Sequence, residues 1–97
     1  MDVIETKLKN FSTFITTLSH KSDNQFMMGF ISTAINQFST KMMIDFLKSN
    51  FQGKTIEDSY STIVSQLGLR DLSDPEREKL TSYIKLFQLL VEQLPTE

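Results

Sequence analysis

Apolar residues recur along the chain at helical spacing, and that spacing divides it into four segments. At about 100° per residue, Val3, Ile4, Leu8, Phe11, Phe14, Ile15 and Leu18 share one arc of about 140°, which predicts an amphipathic first helix. Lys7 alone intrudes, and its long stem can lie along apolar surface while the ammonium reaches water. The opposite face runs through Glu5, Thr6, Lys9, Asn10, Ser12, Thr13, Thr16, Thr17 and Ser19, so it loses its charges as it proceeds. His20 to Asn24 supplies a break, with Ser22 or Asp23 placed to cap a second helix.

On that second helix Met27, Met28, Phe30, Ile31, Ala34, Ile35 and Phe38 share an arc of about 160°. Past Lys41 the pattern rotates: Met42, Met43, Phe46, Leu47 and Phe51 lie about 140° around the same wheel. Neither proline nor glycine stands near Ser39-Thr40-Lys41, so the pattern predicts one long helix serving two packing partners rather than a break there. Gly53 ends it. Thr55 and Asp58 make a weak capping box for a third helix with a narrow stripe of Ile56, Tyr60, Ile63, Val64 and Leu67, closed by Gly68. Leu69 to Leu72 reads as a connector. Ser73-Asp74-Pro75-Glu76 is a strong helix start, since Ser73 or Asp74 can cap, proline suits the first turn and the acids complement the helix dipole. Leu80, Tyr83, Ile84, Phe87, Leu90, Val91 and Leu94 share an arc of about 120° on the fourth helix, which Pro95 ends. Leu86 and Leu89 lie outside the arc.

The expected fold is therefore all-α: a single domain over residues 1–97, a small four-helix up-and-down bundle of two helical hairpins. Its second helix should be the longest, and oligomerisation could complete it. Ninety-seven residues suit one domain, and 39% hydrophobic with 23% charged residues is ordinary for a globular chain.

Charge changes the picture more than composition does. From Asn10 to Thr40 the only formal charges are Lys21 and Asp23, and the polar positions are Ser, Thr, Asn and Gln. The net −2 divides into +1 over residues 1–49, with five basic and four acidic side chains, and −3 over residues 50–97, with five and eight. Helices that pack on another chain shed charge from the contact face, because burying an unpaired charge costs far more than burying a hydrogen-bonded hydroxyl or amide. The competing explanation is mutational bias: eight Lys against two Arg, one alanine and many Phe and Ile fit an AT-rich genome.

Candidate chemistry is sparse. There is no cysteine, hence no disulfide or thiolate site, and His20 alone cannot assemble a zinc centre. The acids from Asp71 to Glu78 do not fit a calcium loop: counting from Asp71, the sixth and twelfth positions are Glu76 and Ser82 rather than Gly and Glu. Glu57 and Asp58 are adjacent and diverge on a helix, so they make no acid–base pair. No catalytic residue, cofactor or metal is expected. The third and fourth helices loosely suggest a helix-turn-helix. However, Leu69 to Asp74 is too long for that turn, and the would-be recognition helix opens with acids that would face phosphates. An overall acidic chain also argues against nucleic acid. The N-terminus resembles neither a signal nor a transit peptide, and the uncharged run from Asn24 to Thr40 has eight apolar residues in seventeen, too few for a span; a cytoplasmic location is expected.

Binding remains. Met27-Met28 and Met42-Met43 could form an adaptable apolar surface, since the methionine thioether repacks readily. The expected partner-binding residues are Met42, Met43, Phe46, Leu47 and Phe51 on the rotated face, with Leu86 and Leu89 as apolar positions that a minimal bundle does not need. The leading expectation is a non-enzymatic interaction module, an adaptor, inhibitor or accessory subunit, that self-associates or docks on a larger protein. Alternatives are a DNA-binding regulator and a carrier holding an apolar ligand in the bundle core.

Overall fold

A computed structural model describes residues 2–94, and among these every regular element is helical: α1 (Asp2–Thr17), a 3-10 turn (Ser19–Lys21), α2 (Gln25–Asn36), α3 (Thr40–Phe51), α4 (Ile56–Leu67) and α5 (Asp74–Glu92). Pro95, the expected terminator, lies outside the described residues.

The expectation of one long helix over residues 24–51 is overturned. The chain leaves helical geometry at Gln37 and re-enters it behind Ser39, whose backbone is extended (φ −73°, ψ 168°) and whose Oγ accepts the Met42 N–H at 3.2 Å. The rotated pattern gives the reason. A straight helix would aim Met28 and Ile35 at one side and Met43, Leu47 and Phe51 at another. Breaking at 37–39 lets both sets reach the same core, and the serine cap satisfies an N–H that the break exposes. Among the described residues there are thus five α-helices rather than four, and the longest is α5, with 19 residues, not the second.

Elsewhere the caps follow the residues. Asn24, rather than Ser22 or Asp23, caps α2 by accepting the Met27 N–H at 3.2 Å. Thr55 caps α4, and Ser73 with Glu76 forms a reciprocal capping box at α5 with Pro75 in its first turn.

The core is built around α5. Leu80, Ile84, Phe87 and Val91 are buried, and the Phe87 ring lies 5.3 Å from both Phe11 of α1 and Phe51 of α3, centroid to centroid. Ile4, Leu8, Phe11, Phe14, Ile15 and Leu18 close it from α1, while Val3, in the same predicted arc, is exposed. α2 packs on α1 and α4, and does not reach α5 to a comparable extent.

Candidate interaction surface

The seven residues expected to meet a partner do not form one surface. Met43, Leu47 and Phe51 are core residues, covered because α3 packs on α5 and α1. Phe46 and Leu86 are half-buried. Only Met42 (54% exposed) and Leu89 (58%) stand in solvent.

The charge-poor stretch divides into two parts with different causes. On α1 and α2 some of the hydroxyls face each other: Ser12 is buried and donates a long 3.5 Å hydrogen bond to the Ser32 carbonyl, and Thr16 Oγ1 lies 3.3 Å from Ser32 Oγ. Small neutral side chains let these helices approach, which accounts for missing charge along that seam. The two charges that remain are both engaged at the turn. Lys21 Nζ reaches Glu76 Oε1 at 2.5 Å and the Asp71 carbonyl at 3.0 Å, and Asp23 pairs with Arg70. Around them, the Asp23 N–H donates to Gly68 O (2.8 Å), the Arg70 N–H to Lys21 O (2.9 Å) and Ser22 Oγ to Leu67 O (2.5 Å). The turn before α2 is thereby clasped to the connector before α5. The Lys21 ammonium and the Ser73 N–H hold the Glu76 carboxyl down to about 2, well below the ordinary 4.5.

The second part is the outer face of α2. Gln25, Phe26, Gly29, Phe30, Thr33, Asn36 and Gln37 are exposed and none is charged. Phe26 is 79% exposed and Phe30 58%, and their rings stack with centroids 6.3 Å apart and planes within 12°. Beside them runs a groove of about 640 Å³ between α2, α3 and α4, walled by Met27, Phe30, Ile31, Ala34, Ile35, Phe38 and Phe46. Its polar side chains are those of Asn24, Asn50, Ser65 and Gln66, so amides and a hydroxyl line it, with no carboxylate, imidazole or amine. Phe38 and Phe46 pack together at 5.6 Å across its α3 wall.

Phe26 and Phe30 are the site residues that the periodicity misses: Phe30 falls within the core arc and Phe26 within none. Phe30 marks the edge of that arc and Phe26 lies about 40° beyond it, so the apolar surface of α2 overflows the face a core can cover.

Other chemistry finds little footing. His20 is exposed in the 3-10 turn, and no group of three or more His, Cys, Asp or Glu residues among the described residues could hold a metal ion. Glu76, central to the calcium count, is bound to Lys21 instead. A narrow recess beside Phe11, Phe51 and Leu67 is about 30 Å³, room for about one water molecule. At the α4–α5 connector Asp71, Asp74 and Glu78 are exposed. No described helix is long and apolar enough to cross a membrane. Comparison with protein-family models, with curated proteins and with solved structures gives no match.

Proposed function

We propose that the protein is a non-enzymatic docking module whose α2–α3–α4 groove receives an apolar helix of a protein partner, in the manner of an adaptor, inhibitor or accessory subunit. The observation that carries this reading is the stacked, exposed Phe26–Phe30 pair beside an uncharged groove of about 640 Å³. Exposed single apolar residues are ordinary, but two aromatic rings continuous with an apolar groove form a patch of the kind that marks interaction sites. A helix laid into such a groove places its own apolar anchors at i, i+3, i+4 and i+7. The amides at the rim can pair with polar groups flanking those anchors without burying charge.

Selection of amphipathic helical peptides displayed on phage tests the reading, with the Phe26→Ser, Phe30→Ser double variant as counter-target. Helices that bind the native chain and lose about thirtyfold or more in affinity for the variant are expected, since central aromatic anchors dominate interface energies. Failure to recover any binder that distinguishes the two proteins overturns it.

A further inference from the structure

We propose that two copies of this chain exchange their N-terminal halves, α1 and α2 of each packing on α3, α4 and α5 of the other, with the break at 37–39 as the hinge. The residues of that break are the first argument. The other junctions between the described helices are each fixed. Backbone hydrogen bonds to Gly68 and Arg70 hold the α1–α2 turn, Gly53 with positive φ turns α3 into α4, and Gly68 and Pro75 delimit the α4–α5 connector. Gln37, Phe38 and Ser39 include neither glycine nor proline, and among the described residues their hydrogen bonds stay within the α2–α3 segment.

Backbone geometry is the second. Gln37, which ends α2, lies beside the helical region (φ −109°, ψ 3°), and no left-handed residue turns the chain there. Ser39 is extended, but its φ of −73° already suits a helix, so at that residue rotation about ψ alone carries the chain from break to helix. A helix continuous from Gln25 to Phe51 is about 40 Å long. Its two apolar faces, about 140° apart, then serve two partners: the α2 face keeps α1 of its own chain, and the α3 face receives α1 of the other.

Exchange itself selects a second copy as the partner. Each contact that opening breaks, such as Phe11 with Phe87, Lys21 with Glu76 and Asp23 with Arg70, re-forms with the same residue of the other chain. The core stays buried, and a continuous helix no longer needs the Ser39 cap. Against exchange stands the effective concentration of two halves joined in one chain, on the order of millimolar. The monomer therefore prevails in dilute solution, and the dimer grows with concentration or with loss of the cap.

Refolding the full chain from urea at about 1 and about 500 µM, followed by sedimentation velocity, reads the exchange. The native chain should give monomer at the lower concentration and a dimer fraction at the higher. Ser39→Ala, which loses a cap that only the bent form uses, should raise the association constant about tenfold or more. Thr40→Pro should stay monomeric with an unchanged circular dichroism spectrum. Position 40 is exposed in the first turn of α3, behind a residue whose extended backbone suits a following proline, whereas in a continuous helix a proline there breaks the interior. Charge reversal gives a test that needs no proline. Lys21→Glu and Glu76→Lys each oppose like charges in the monomer and in their own dimers, but refolded together they restore both opposite-charge pairs across a heterodimer. The mixture should therefore hold several-fold more dimer than either variant alone. No dimer from the native chain or from Ser39→Ala, a Thr40→Pro dimer as abundant as the native one, or a charge-variant mixture no richer in dimer than its components each overturns the inference.

Discussion

Gly68 is where a single residue holds two connections together. It ends α4 in the left-handed conformation (φ 60°, ψ 36°), and a Cβ there would stand 3.1 Å from the Asn24 backbone N and 3.2 Å from that of Asp23. Those atoms cannot retreat cheaply, because the Asp23 N–H donates to the Gly68 carbonyl at 2.8 Å. Gly53 also has positive φ (70°) but open space around its missing Cβ. Gly68→Ala should therefore combine backbone strain with a steric clash and destabilise by about 2–3 kcal/mol, while Gly53→Ala meets strain alone, about 1 kcal/mol. Urea unfolding of the two variants compares them directly. Equal losses would mean that the clasp yields to a methyl group without penalty.

At the scale of elements, much was legible because each signal was local. The caps at Thr55 and Ser73, Pro75 in the first turn of α5 and Gly68 after α4 were all placed by residue type, and the arcs of α1 and α5 supply most of the core. The α2–α3 break was not legible. Its only marker is Ser39, one of several serines and threonines in a polar run, and a serine cap is a weak signal beside a proline or glycine. That one misplacement carried into the site. Met43, Leu47 and Phe51 look spare on a continuous helix, and a redirected α3 buries them against α5 and α1. On α2, Phe26 and Phe30 stay uncovered. Ser39→Ala removes the cap and should lower stability by about 1 kcal/mol, against little change for Ser61→Ala on the exposed face of α4. Amide hydrogen exchange gives the finer check: protection should fall first at Met42, whose N–H the Ser39 hydroxyl accepts. A uniform loss across all five helices would deny that α3 starts as a separately capped unit.

Across the whole molecule, a clasp joins the turn at Ser19–Asn24 to the connector at Leu67–Asp71, and Lys21–Glu76 is one of its two ion pairs, beside Asp23–Arg70. Both side chains are about a quarter exposed, so the pair sits in neither bulk water nor the deep core. Glu76 does two tasks there: it receives Lys21, and it accepts the Ser73 N–H at 2.7 Å to complete the α5 capping box. Its carboxyl titrates near 2 in the folded chain against an ordinary 4.5. The folded state thus binds this proton less readily than the unfolded state, so the stabilisation is fully present above pH 4.5 and drains away as pH falls toward about 2. In Glu76→Gln the group cannot titrate, so the variant should be less stable than the native chain at pH 7 and should lose less on acidification. The two stability curves, measured by urea unfolding at several pH values between 7 and 2, should therefore converge below pH 4.5. Parallel curves over that interval would show that Glu76 keeps an ordinary pKa in the folded protein, and that the rest of the clasp holds without help from the Lys21–Glu76 pair.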